Sequence, residues 1–343
     1  MPRLPGGRHS LLACALALCI VQPGSAEVST DYPGAILVFP KIESDAQRDT
    51  IVQVTNNTGV RVFLRCFYVD GRVDRDGGDP SWLVTDFQIT LTRSQPTVWV
   101  AGEGLPAVPS DRPDDLYPGP VPPVGDGFRG ALRCIVVDES ERPIGANALT
   151  GEATIIDRTT GDSHKYPAIS VRGFSANNGD NTLLLDESEY GTCPRVLLLN
   201  HFFDDAPDPV VDAPIRTTLT IVPCSMDLEN SVPGTATVQF EVFNEFEQRL
   251  STSLPVNCYE DVELSSIDRA SQPELSIFNF ALQGTLVGLS RMRPVLDART
   301  DTGHGVLAVA LEVRGDGLST APAHVHFVGG NLQADVIVLS EPF

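Results

Sequence analysis

Ile36-Leu37-Val38-Phe39-Pro40, Ile51-Val52-Gln53-Val54-Thr55-Asn56 and Val62-Phe63-Leu64-Arg65-Cys66-Phe67-Tyr68-Val69 are three short apolar runs separated by polar turns. In the third, Val62, Leu64, Cys66 and Tyr68 alternate with Phe63, Arg65 and Phe67, the two-residue period of a strand. The same order returns as Leu219 to Pro223, Val238 to Asn244 and Arg249 to Tyr259. Val38-Phe39-Pro40 matches Ile221-Val222-Pro223, Asn56 matches Asn244, Arg61 matches Arg249 and Cys66 matches Cys258. The spacer between arginine and cysteine is four residues longer in the second copy. Two copies of one strand plan predict an all-β chain of two tandem antiparallel β-sandwiches.

Working outward, Phe87, Ile89 and Leu91 alternate, as do Leu132, Cys134 and Val136 with Arg133 opposite them. Glu103 to Gly127 is a proline-rich excursion too poor in apolar residues to form a core. Residues 27–174 are therefore expected as the first sandwich and 217–343 as the second. Residues 175–216, polar and acidic around the apolar run Val196 to Phe203, read as a linker carrying one strand. No long stretch has a helical period, which argues against an α/β catalytic scaffold.

At the N-terminus, Arg3 and Arg8 precede an apolar run from Leu11 to Val21, and the small residues Gly24 and Ala26 follow. This is the layout of a secretory signal peptide over residues 1–26, cut near Ala26, and it predicts a secreted or periplasmic protein. A lipoprotein cut before Cys14 is the competing reading. No later run is long and apolar enough for a membrane span. The formal charge of −21 becomes two units more negative without Arg3 and Arg8. A chain this acidic repels phosphate backbones, so no nucleic-acid partner is expected. Cys66, Cys134, Cys193, Cys224 and Cys258 follow the signal, enough for two bridges and one thiol.

The order Cys66, Trp82, Cys134 resembles the cysteine, tryptophan, cysteine spacing of immunoglobulin domains, and this likeness makes the two sandwiches immunoglobulin-like. It implies a Cys66–Cys134 bridge joining the two sheets. Leu132 stands where that family places a tyrosine. Cys224 with Cys258 is the second pairing expected, since both lie among the first strands of the second copy; Cys193 with Cys224 competes. The opening Ile-Leu-Val-Phe-Pro-Lys and the Thr-Asn-Asn element also resemble a group of uncharacterised exported bacterial proteins with sandwich domains, a likeness that implies no activity.

Two groupings could carry chemistry. His324 and His326 fall on one face of a strand, a spacing that can hold a metal together with His304 or His201. The run His324 to Asn331 resembles the copper-ligand strand of copper-zinc superoxide dismutases, but no histidine follows His326, so that activity is excluded. Asp70, Asp74, Asp76 and Asp79 surround Gly77-Gly78, a pattern that can wrap calcium, the only cofactor expected; a solvated acidic turn is the alternative. Nucleophile elbows, phosphate loops and Cys-x-x-Cys pairs are missing from the sequence. The expectation is a non-catalytic binding or structural module that presents the loops Asp70 to Ser81 and Glu103 to Gly127 to a protein or glycan. A metal-dependent protein using His324 and His326, and a spacer in a cell-surface assembly, are the alternatives.

Overall fold

The computed structural model describes residues 28–72, 82–107, 117–174, 180–210, 213–295, 304–315, 319–330 and 335–341. The expected signal peptide lies outside them. Ten strands build the first lobe: β1 (Val28–Ser29), β2 (Ile36–Ser44), β3 (Arg48–Asn56), β4 (Val62–Asp70), β5 (Val84–Leu91), β6 (Pro96–Val100), β7 (Phe128–Val137), β8 (Leu149–Asp157), β9 (Ser163–Pro167) and β10 (Ile169–Val171). They form one antiparallel sheet folded over at the β2–β3 corner, where Ser44 pairs with Asp49. One layer runs β5-β4-β7-β2-β10-β1 and the other holds β6, β3, β8 and β9. The layers meet closely. A Cβ on Gly151 of β8 would stand 2.7 Å from the Phe39 ring of β2, and the Trp99 indole of β6 donates to the Tyr68 hydroxyl of β4 at 2.6 Å.

The second lobe comprises β11 (Thr182–Leu185), β12 (Pro194–Phe202), β13 (Ala206–Pro207), β14 (Pro214–Pro223), β15 (Met226–Asp227), β16 (Thr235–Asn244), β17 (Arg249–Asn257) and β18 (Glu260–Glu263), then one-turn helices α1 (Ser266–Arg269) and α2 (Phe280–Gln283). It is completed by β19 (Val287–Pro294), β20 (Val306–Arg314), β21 (Ser319–Ala323), β22 (Val325–Gly330) and β23 (Asp335–Val338). One sheet runs β17-β16-β19-β12-β22 and a second runs β13-β14-β20-β21 with β18 beside β14. Leu197, Leu199, Ile221, Phe240 and Phe278 lie in the core they share. A small third sheet, β11-β23-β15, joins its last two strands in parallel. The chain is thus all-β, as its strand periodicity requires, and no described helix is long and apolar enough to cross a membrane.

Two sequence expectations are corrected by this topology. The stretch 175–216, expected as a linker carrying one strand, supplies three in its described residues, β11, β12 and β13, and β12 lies inside a sheet between β19 and β22. The acidic, proline-containing composition reflects turns around these strands. The strand plan of the two copies also parts at the third strand. β4 returns to the layer of β2 through β7, whereas β17 stays hairpinned to β16, with Phe243 opposite Arg249. A buried asparagine ends the strand in each copy: both carboxamide oxygens accept the amide two residues on, Asn56 also donates to the carbonyls of Val60 and Thr92, and Asn244 also accepts from the Gln248 amide in a tight hairpin. Cys258 therefore sits past the end of β17, where Cys66 is mid-strand.

The lobes are joined by a buried seam. Val222, Cys224, Tyr259, Leu307, Val309, Ile337 and Leu339 belong to the same core as the first lobe. Gly71 packs so closely on Tyr259 that a Cβ there would stand 2.3 Å from its side chain. Arg133 of β7, 2 % exposed, donates to the carbonyls of Pro223 and Cys224. Arg65 of β4 donates to the Ser340 carbonyl at 2.7 Å and pairs with Asp86 at 3.1 Å. At the β2 bulge between Phe39 and Ile42, where Pro40 has no amide hydrogen to give the ladder, Lys41 reaches Glu43 at 2.8 Å and Asp261 at 2.7 Å.

Candidate functional site

The proline-rich excursion after β6 is fastened at its base. Leu105 and Val121 exchange backbone hydrogen bonds at 2.8 and 3.0 Å, the Thr90 amide of β5 donates to the Pro118 carbonyl, and the Tyr117 hydroxyl donates to the Pro106 carbonyl. Prolines cannot extend a ladder, so the returning segment lies along the free edge of β5 without completing the sheet. Between them opens a hollow of about 800 Å³, with an apolar floor of Phe87, Leu105 and the prolines, and with Asp86, Gln88 and Thr90 as its polar groups. Phe87 is fixed from below by Tyr68 and Trp99, at ring-centroid separations of 5.3 and 6.2 Å. Such a surface, apolar with a few placed hydrogen-bonding groups, suits an extended peptide or a sugar ring. A second hollow of about 540 Å³ at the end of the second lobe carries Glu245 and Glu312 beside Phe202 and Phe243.

The structure keeps His324 and His326 together on one face, exposed, with ring centroids 4.3 Å apart and edge to face. Burial and the neighbouring His326 hold the His324 imidazole below its ordinary range, which favours the neutral, ligating form. The other two histidines are elsewhere. His201 is buried between Ser290, at 2.8 Å from Nε2, and its own neighbour's carbonyl at Phe202, 2.8 Å from Nδ1. A carbonyl only accepts, so Nδ1 carries the hydrogen and Nε2 accepts from Ser290. His304 lies 3.5 Å from the buried Asp335 carboxylate, whose hydrogen bond raises the imidazole above its ordinary value.

Of the acidic group, Asp70 is occupied by Arg72, whose guanidinium reaches Asp70 Oδ2 at 2.6 Å and whose Nε lies 3.0 Å from Oδ1. Asp74, Asp76 and Asp79 lie outside the described residues. The cysteines pair as Cys66–Cys134 and Cys193–Cys224, and Cys258 is a buried thiol. The expected Cys224–Cys258 bridge is therefore corrected: β17 ends before Cys258, and the stretch leading into β12 brings Cys193 to Cys224 instead. The Cys66–Cys134 bridge also departs from the immunoglobulin arrangement. Cys66 and Cys134 face each other on adjacent strands of one layer, with Cα atoms 4.1 Å apart, and so do not tie two sheets together.

Sequence reasoning missed the buried cations of the seam. Their signal was Arg65 and Arg133 at strand positions whose neighbours are all apolar, on the face opposite the cysteines. Near Glu43, burial pushes the carboxyl up, but Lys41, Arg129 and Arg48 outweigh it and hold it down to about 2. No protein-family model matches this chain, and comparison with curated proteins returns no match.

Proposed function

We propose that this is a non-catalytic exported binding module whose ligand, a protein segment or a glycan, docks in the proline-framed hollow beside β5. The observation that carries this reading is the pinned base of the excursion: its described residues set Leu105 and the prolines beside Phe87, Gln88 and Thr90. The buried seam supports it, because a frame held from behind costs little to order on binding. Screening residues 27–343 against peptide and glycan arrays tests it, with a Gln88→Trp, Thr90→Arg variant that fills the hollow. Binding to a discrete ligand class is expected, weakened at least about tenfold in the variant at unchanged melting temperature, the loss of roughly 1.4 kcal/mol. Binding that ignores the variant, or no ligand in either array, contradicts the proposal.

A second reading, a metal-binding protein using His324 and His326, rests on the contact of the two exposed rings. Titration of the disulfide-bonded protein with copper or zinc should then give uptake that His326→Ala abolishes; no uptake ends it.

A further inference from the structure

Among the described residues, one trio of metal-ligating atoms lies within 4.8 Å of one another: the sulfurs of Cys193 and Cys224 and a carboxylate oxygen of Asp335, all buried. His304 Nδ1 stands 3.5 Å from the same carboxylate. Gly305 closes the cluster from one side, where a Cβ would meet Cys193 at 2.4 Å, Asp335 at 2.7 Å and the Cys224 sulfur at 3.3 Å. In the oxidised chain the sulfurs are bonded to each other and cannot ligate. The surroundings suit more than a bridge. The Asp335 carboxylate accepts from Ser225 Oγ at 2.7 Å and the Gly305 amide at 2.9 Å, the outer bonds that orient a metal-binding carboxylate.

We propose that reduction of Cys193–Cys224 uncovers a tetrahedral zinc site made of Cys193, Cys224, Asp335 and His304. A dithiol reductant supplies the two electrons: its thiolate attacks one sulfur, the S–S bond breaks, and its second thiol releases the mixed disulfide, leaving two thiols here and a disulfide in the reductant. Zinc then displaces the two thiol protons to solvent, Asp335 enters as carboxylate and His304 as neutral imidazole. Zinc–sulfur bonds of about 2.3 Å require the sulfurs, on Cα atoms 6.5 Å apart, to part to roughly 3.7 Å, and the His304 ring, which lies outside the trio, to turn in toward them. Charge is balanced as well. Two thiolates, one carboxylate and zinc leave one negative charge, and the Arg133 guanidinium, bonded to the Cys224 carbonyl at 3.1 Å, lies beside it. The site is distinct from the hollow beside β5 and from the exposed histidine pair.

Residues 27–343 are titrated with zinc, and with cobalt as a coloured substitute, before and after reduction. The reduced chain should take up one metal with thiolate-to-cobalt charge-transfer absorption, and zinc should raise its melting temperature. His304→Ala and Asp335→Asn should each weaken uptake by about 10- to 100-fold, and Cys224→Ser should remove the charge-transfer band, whereas Cys258→Ser leaves both unchanged. Metal held by the reduced chain but indifferent to His304→Ala and Asp335→Asn overturns the proposal. So does absence of uptake, or a reduced chain that loses its fold and does not regain it with zinc. Uptake by the oxidised chain that His326→Ala removes belongs to the histidine pair.

Discussion

His201 is a buried neutral imidazole with both nitrogens satisfied, and burial pulls it down to about 4 against the carbonyl of Phe202, which favours the proton. The unfolded chain binds a proton there from pH 6.5 downward, while the folded chain does not until about 4. The stability it contributes is therefore complete above pH 6.5 and is lost as pH falls through that window, up to about 3 kcal/mol. His164, lowered to about 4 chiefly by burial, acts in the same direction. Asp204 opposes both. Burial outweighs its bonds from Ser265 and Thr217 and raises its carboxyl to about 7, so its protonation favours the folded chain as pH falls from 7 to 3.8. Comparing urea unfolding of the wild type with His201→Gln from pH 7 to 4 isolates the one group. The variant should gain on the wild type as pH falls, and parallel curves would reject the assignment. At this scale the sequence was half legible. Asn56 and Asn244 were recognisable as equivalents and do each end a strand, yet Asn56 also bonds to the Thr92 carbonyl, 36 residues on, a partner that the local pattern does not indicate.

Among the elements, β4 and β7 carry the most. Nearly all of their residues are buried on both faces, which alternation alone does not predict. Cys66, Leu64 and Tyr68 fill the first lobe, and Arg65 faces the other way into the seam. A two-residue period tells which residues share a face but not what covers the second face. The same limit hides the setting of the Cys66–Cys134 bridge, whose pairing was expected: spacing cannot say whether two cysteines lie on neighbouring strands or on opposed sheets. Because Cys66–Cys134 spans 68 residues of chain, Cys66→Ala with Cys134→Ala should lower stability by about 2–5 kcal/mol while β4–β7 pairing persists. Chemical denaturation with far-ultraviolet circular dichroism checks it; an unchanged midpoint would mean that the bridge constrains nothing the ladder does not already hold. Likewise β12 was readable as a strand from Val196 to Phe203, but its place inside a sheet depends on β19 and β22, far later in the chain.

For the whole molecule, the seam converts two sandwich-like lobes into one body. Buried ion pairs are weak evidence of net stability, because desolvation offsets their attraction, but removing one partner of such a pair costs about 3–5 kcal/mol. Arg133 acts through hydrogen bonds instead, donating to the buried carbonyls of Pro223 and Cys224 across the seam. Nothing in the repeat pattern announced this, since a tandem reading treats each copy as complete. Calorimetry of residues 27–343 therefore tests the account most directly. A single transition is expected, with Arg133→Leu moving the whole of it to lower temperature. Two separate transitions, with Arg133→Leu displacing neither, would contradict the account.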